Sequence, residues 1–242
     1  MKAVILAAGL PRNDFPPGSK PKCLYHSGGR MLLDIAVNSV QQAGISDIRL
    51  VVGYKADAVR EFVETRKWNL EVAVNDAWAT DSVRSIETGL EGADTDVILL
   101  CADLLIDSEI IRAFTHTAPE RLAWIRSIVP WDHDSGFAGY DDVYRNDIDN
   151  SILRIPKPML GIFEGARERA GRFLKRYGWG IETGPGTGVY FGAAITETFY
   201  QYRPIEEVVI QEPIRDIDYF WQTDEAKIQG QVRRFLAERR AP

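Results

Sequence analysis

Side chains suited to phosphate and divalent-cation chemistry sit in two early stretches of this chain. The first is Met1 to Leu24, MKAVILAAGLPRNDFPPGSKPKCL. Ala3 to Ala8 is continuously apolar and rich in Val, Ile and Leu, so it reads as a buried strand. It ends in Gly9, after which the chain turns through Arg12, Pro16, Pro17, Gly18, Lys20, Pro21 and Lys22 before apolar pattern resumes at Leu24. Glycine lets backbone N–H groups approach phosphate oxygens, and Arg and Lys supply compensating charge. The loop fits neither GxxxxGK[ST] nor GxGxxG, so it predicts neither the P-loop nor the dinucleotide fold. The second stretch is Val97 to Asp103, an apolar strand running straight into a carboxylate. At a sheet's ligand edge Asp103 can hold Mg²⁺, a hard cation that prefers oxygen ligands and bound phosphates. An aspartate in this place also serves as a turn or helix cap, and Asp107 reads as the cap of the next helix.

These residues carry a family resemblance. Met1 to Gly9, then an arginine, then Pro21-Lys22-Cys23-Leu24 resembles the signature of the nucleotidyltransferases that make sugar-nucleotides and CDP-alcohols, LAAGxGxR continuing to PKxL. The second glycine of that pattern is absent, with Leu10 and Pro11 in its neighbourhood, and the arginine is displaced by a residue. The resemblance implies a three-layer α/β/α nucleotide-diphospho-sugar transferase fold with a mixed, mostly parallel sheet. It implies a Mg²⁺-dependent transfer of NMP from an NTP to a phosphorylated or phosphonate small molecule, releasing pyrophosphate. Leu6, Ala7, Ala8 and Gly9 would border the nucleotide. Lys22 and Arg12 would neutralise the triphosphate and the charge that develops as pyrophosphate leaves.

The same likeness makes Asp103 one metal ligand. It seeks the second in a late segment resembling DIDTPED, matched by Asp216-Ile217-Asp218-Tyr219. Strand alternation would set Asp216 and Asp218 on one face; Asp218 is the assigned ligand and Asp216 the lesser candidate. NDAWATDSVRSIETGL resembles the "N…NN…S" segment of cytidylyltransferases acting on phosphocholine-like acceptors, with Asp81 where an asparagine is common. It implies Asp81 and Ser82 for the nucleotide, and Asn75 and Ser85 for the acceptor. Arg84 either grips a second anionic group on the acceptor or pairs with Glu87 on a helix surface. Lys157 stands where the family often carries a lysine reaching the acceptor's phosphate. CTP is favoured over UTP, GTP or dTTP from that segment and the compact length. A sugar-1-phosphate nucleotidyltransferase, a GT-A glycosyltransferase and an inactive nucleotide-binding regulatory module are the rivals.

The elements that must position these groups follow from periodicity. Helical spacing at Met31 to Ala43 and Ala56 to Glu64 alternates with apolar strands at Ile48 to Val52 and Leu70 to Val74, followed by a helix at Ser82 to Leu90 and the strand at Val97 to Cys101. That order implies a parallel sheet with right-handed crossovers, whose ligand edge is at the strands' carboxyl ends. Gly28-Gly29 signals a hairpin turn, and Asp107 to Phe114 a helix. Beyond it, Leu122 to Val129 reads as a strand, Asp132 to Asp142 as a loop and Val143 to Ile155 as a hairpin. Phe163 to Tyr177 reads as a helix, Gly184 to Gly188 as a loop, Val189 to Ala193 as a strand and Thr196 to Tyr202 as a short helix. Asp224 to Arg239 closes the chain as a helix. One domain over 1–242 is expected, with a nucleotide half (1–120), an acceptor extension (121–215) and a metal-ligand segment with the last helix (216–242).

With 45% hydrophobic and 26% charged residues the composition is that of a globular protein. A net charge of −6 argues against a nucleic-acid surface, so cations must be concentrated locally to meet a nucleotide. Cys23 and Cys101 suggest neither a disulfide framework nor a zinc site. The opening apolar run is too short for a membrane span and lacks a signal-peptide n-region, so a cytoplasmic enzyme is expected. Dimerisation is common in similar proteins, but no stripe marks an interface. His26, His116 and His133 have no ligand spacing; Trp124, Trp131, Trp179 and Trp221 wall an acceptor pocket or pack a core.

Overall fold

The apolar opening run forms strand β1 (Lys2–Ala7), buried from Ala3 onward. A short hairpin, β2 (His26–Ser27) with β3 (Arg30–Met31), leads into helix α1 (Leu32–Gln42). Then come β4 (Asp47–Val52), α2 (Ala56–Arg66), β5 (Glu71–Val74), α3 (Arg84–Leu90) and β6 (Val97–Cys101). After these the chain runs β7 (Leu104–Leu105), α4 (Ser108–Phe114), β8 (Ala123–Ser127), β9 (Ile152–Ile155), α5 (Ala166–Arg176), α6 (Gly188–Gln201), β10 (Glu206–Ile210) and β11 (Arg215–Asp216). The computed structural model describes residues 1–9, 18–27, 30–127, 152–176, 188–202, 205–210 and 215–216.

Seven strands form one sheet in the order β10-β8-β9-β6-β1-β4-β5. Among the described residues, β9 alone runs against its neighbours in this sheet, and the other pairings are parallel. The mixed, mostly parallel sheet is thus as expected. Ala3, Ile5 and Ala7 of β1 face one core with α1, α2 and α4, while Val4 and Leu6 face the other with α3, α5 and α6. A sheet covered on both faces explains why its strands read as continuous apolar runs rather than alternating ones.

From β1 the chain moves outward through β4 to β5, and α3 then carries it back over the opposite face to β6, on the far side of β1. The strand order reverses there, so the ligand crevice of such a sheet opens past the carboxyl ends of β1 and β6. α3 lies close enough to β1 that a Cβ on Gly89 would stand 2.4 Å from Val4 Cγ1 and 3.3 Å from Val51 Cγ2. At the opposite edge, buried Arg154 of β9 donates to Asp96 at 2.6 Å, to Thr117 Oγ1 at 2.9 Å and to the Ala118 carbonyl at 2.6 Å. Burial alone would raise the Asp96 carboxyl, but the Lys157 backbone N–H and the Arg154 guanidinium outweigh it and hold it below the usual range.

Two readings change. Val189 to Ala193 is not a strand but the first part of α6, which continues through the helix expected from Thr196. A continuous apolar run suits a buried helix as well as a buried strand, and here it packs Ala193, Ala194 and Ile195 against the sheet. The helix expected from Phe163 begins at Ala166, after a 3-10 turn over Lys157–Phe163. β10 was not anticipated. Trp124 packs half-buried against the second core. The 132–142 loop, the first limb of the 143–155 hairpin, residues 184–187, the helix from Asp224, and Trp131, Trp179 and Trp221 lie outside the described residues.

Two stability outcomes follow from this packing. Gly89→Ala gains about 1 kcal/mol of helix propensity but forces β1 and α3 apart, at a cost of about 1–3 kcal/mol. Denaturant unfolding should therefore show a net loss. Asp96 has a lowered folded pKa, so its stabilisation is present above the unfolded carboxyl value and disappears as pH falls through the folded one. Asp96→Asn should cost about 1–2 kcal/mol at pH 7 and flatten the dependence of stability on pH below about 4.

Candidate active site

Backbone hydrogen bonds extend the sheet past its last paired residues. Ala102 N–H donates to Leu6 O at 2.9 Å, Tyr54 N–H to Ala8 O at 3.1 Å, and Asn75 N–H to Val52 O at 2.8 Å. They bring the ends of β1, β4, β5 and β6 to one edge. The chain returns to this edge through a 3-10 turn, Lys22–Leu24, started by Pro21. Cys23 and Leu24 of that turn are buried with α1 in the first core, which anchors Lys22 between them and the edge. Lys22 Nζ lies 3.7 Å from Asp103 Oδ2, with the two side chains only 13% and 15% exposed. The structure thus brings together the cation of the first motif and the carboxylate past the fourth sheet strand in sequence. Burial, and next the negative charge of Asp103, push the Cys23 thiol up to about 12.

Asp103 lies between β6 and β7, and β7 pairs antiparallel with β11 in the register Leu104↔Asp216 and Leu105↔Arg215. The backbone of Asp216 is therefore paired with the residue next to Asp103. Arg12 and Asp218 lie outside the described residues. Asp107 caps α4, its side chain accepting from Glu109 N–H at 2.9 Å. Among the described residues no group of three or more His, Cys, Asp or Glu side chains converges on a point. Mg²⁺ asks for less, since it is commonly bound by one or two carboxylates together with waters and substrate phosphates. A largely buried aspartate at the ligand edge, with the backbone of Asp216 paired beside it, fits that ion.

The loop between β5 and α3 is built around Asn75, which is fully buried. Its side-chain amide donates to Asp81 O at 3.0 Å and to Ser85 Oγ at 2.9 Å, and its Oδ1 accepts from Ala77 N–H at 2.9 Å. Asn75 and Ser85 therefore shape the loop from inside. Asp81 accepts from Arg84 N–H at 3.1 Å, and its other oxygen lies 3.1 Å from Arg167 of α5. Ser82 is half-buried beside it. Arg84 makes the pair with Glu87 at 2.9 Å, and that hydrogen bond raises its pKa.

Lys157 does not join this set. It follows β9, which runs antiparallel to β6, so it falls at the amino-terminal edge of β6, where Ile155 pairs with Val97. Its backbone N–H donates there to Asp96, the residue before β6, while Asp103 lies past the other end. Residues that sequence reasoning passed over are Tyr54, Lys55 and Arg167. Tyr54 and Lys55 had a signal, since they follow the strand that pairs with β1. Arg167 had none, because its contact with Asp81 spans 86 positions of chain, 167 less 81. A thiol reagent at pH 8 should leave Cys23 unmodified in the native protein and label it only in denaturant; rapid native labelling followed by mass spectrometry would contradict the burial.

Comparisons with known proteins bear on the family and the fold. Residues 3–162 match the family described as the MobA-like NTP transferase domain. Over 127 residues the chain is 33% identical to CMP-5'-(3-aminopropyl)phosphonate synthase of Streptomyces rubellomurinus, which covers 51% of this chain and 20% of that protein. Over 211 residues it is 26% identical to the bifunctional protein GlmU of Aquifex aeolicus, covering 84% of this chain and 42% of that one. The matches span less than half the length of these curated relatives. Among solved structures, CTP:phosphocholine cytidylyltransferase LicC of Streptococcus pneumoniae superposes with a TM-score of 0.58 at 16% identity, covering 96% of this chain and 98% of that one. At that identity the likeness is one of fold.

Proposed function

Since the chain belongs to the MobA-like NTP transferase domain family, a nucleotidyltransferase family, we propose that it transfers CMP from CTP to a phosphorylated or phosphonate small molecule and releases pyrophosphate. The approach of Lys22 to Asp103 at the ligand edge carries this reading. An ammonium beside a carboxylate supports it, because a metal-bound triphosphate would call on both charges. The preference for CTP and for a phosphonate or phosphoalcohol acceptor is supported by the likeness to the phosphonate-activating relative. A cytoplasmic location, where NTPs are held, belongs to the same proposal.

In the reaction a phosphate or phosphonate oxygen of the acceptor attacks the α-phosphorus in line, and the bond to the β-phosphate oxygen breaks. The attacking oxygen is already ionised at neutral pH, so the site needs no general base. Lys22 and Arg12 meet the negative charge that gathers on the departing pyrophosphate; little else is asked of the protein beyond alignment. Asp103 and Asp218, with Asp216 as the lesser candidate, would hold Mg²⁺, which when bound supplies further charge compensation to the phosphate oxygens. Asp81 and Ser82 would border the nucleotide. Asn75 and Ser85 act by shaping that loop rather than by touching the acceptor.

Pyrophosphate release measured with Mg²⁺, each NTP and dTTP in turn, against phosphorylated alcohols, phosphonates and sugar phosphates, tests this directly. CTP should support release with one acceptor class. Asp103→Ala and Lys22→Ala should each lower kcat by about 10²-fold or more, while Lys157→Ala leaves it unchanged. Release with UTP, GTP or dTTP alone would keep the mechanism and overturn the cytidylyl assignment. No release from folded protein that binds nucleotide would favour a regulatory module.

A further inference from the structure

Past β4 the chain makes a corner, Gly53-Tyr54-Lys55, that the proposed chemistry does not use. The corner is pressed against the end of β1: a Cβ on Gly53 would stand 2.5 Å from Trp78 Cβ and 2.9 Å from Ala8 O. Tyr54 N–H donates to Ala8 O at 3.1 Å, where the chain leaves β1. The Tyr54 hydroxyl donates to Ser19 O at 3.0 Å, and the Lys55 ammonium donates to Gly18 O, where the chain comes back toward Lys22. Two consecutive residues past a neighbouring strand thus hold the chain at Ala8, where it leaves β1, and at Gly18 and Ser19, where it returns toward Lys22.

We infer that Tyr54 and Lys55 are positioning residues that hold Gly18 and Ser19, on the approach to Lys22, where they receive the triphosphate of an NTP. The inference rests on the reading of the site as one for nucleotidyl transfer. A residue that meets a phosphate with its N–H group must turn its carbonyl oxygen elsewhere, because an oxygen facing a phosphate repels it. Tyr54 and Lys55 bind two such oxygens, those of Gly18 and Ser19, on the side of β4. Lys55 does so in the left-handed backbone region, at φ 49° and ψ 45°, which a residue with a Cβ occupies only at a cost. Strain of this kind is retained where the surroundings fix it, and here the fixed contacts lead to Gly18 and Ser19. The Tyr54 ring is itself braced edge-on by Trp78, with centroids 5.4 Å apart and planes at 67°, from the loop that presents Asp81.

Two variants separate positioning from folding. Tyr54→Phe removes the hydroxyl and keeps the ring on Trp78. Lys55→Gly removes the ammonium and suits the left-handed backbone, so it leaves the melting temperature unchanged or raises it. CTP, UTP, GTP and ATP, each with Mg²⁺, are titrated calorimetrically into the wild type and both variants, alongside the melting temperature. Each variant should weaken binding of the preferred NTP about 5- to 10-fold, the loss of one hydrogen bond, and Lys55→Arg should restore most of the affinity lost in Lys55→Gly. In the pyrophosphate assay the KM for that NTP should rise while the KM for the acceptor stays put. Wild-type NTP affinity in both variants, or a lowered melting temperature with unchanged affinity, would overturn the inference. A wild type that binds NTP without turnover would overturn the nucleotidyl-transfer reading and leave the affinity comparison standing as the test of the clamp.

Discussion

The site hangs on the parallel pairing of β1 with β6. In that register Leu6 stands opposite Cys101, and Ala102 N–H reaches back to Leu6 O, so the chain past β1 and the aspartate past β6 emerge side by side. A slip of one residue would carry Asp103 about 3.3 Å along the strand and turn every side chain of β6 to the other face. Burial forbids that slip, because β1 is packed on both faces and its two sets of side chains are not interchangeable. Val4 fits under the bare Cα of Gly89, where a larger neighbour has no room. A glycine on the back of the sheet thus helps fix where a carboxylate stands at its edge.

With that geometry set, charge decides what the edge can accept. Lys22 and Asp103 are both mostly out of water, and each would be costly to leave without a counter-charge. An anion that draws on Lys22 competes with Asp103, and a cation that draws on Asp103 competes with Lys22. A ligand that brings both charges at once, a triphosphate with its divalent ion, satisfies the two without leaving either exposed. Paired in this way, the two charges would let a protein of net charge −6 meet a metal-bound polyanion through a local contact.

The nucleotide half was legible because its signals are local. A continuous apolar run bounded by glycine, as at Ala3 to Gly9, has few alternatives, and the alternation with helical stretches fixes a parallel sheet almost unaided. Asp103 could be placed because a strand's end is also a position in the sheet. The second half resisted for physical reasons. The run from Val189 is apolar enough for either buried element, and only its packing beside α5 selects the helix. β10 joins β8 across most of the extension, a pairing that nothing in its five residues announces. Asn75 could be picked out by its type, but its three internal hydrogen bonds, which make it part of the loop's frame, depend on how the loop closes.

The same distinction explains why Lys157 and Asp103 part company. Position along a chain does not say which edge of a sheet a residue reaches; the direction of the preceding strand does. Asp103 follows a strand parallel to β1 and so emerges at the edge where β1 ends. Lys157 follows β9, which runs antiparallel to β6, and so emerges where β1 begins, next to Asp96 and the backbone of Lys2. For the extension to reach the ligand edge, the chain must first travel back along the face of the sheet, and the 3-10 turn and α5 do this. Among the described residues it arrives at Arg167, in the first turn of α5, which meets Asp81. That ion pair joins the extension to the loop framed by Asn75.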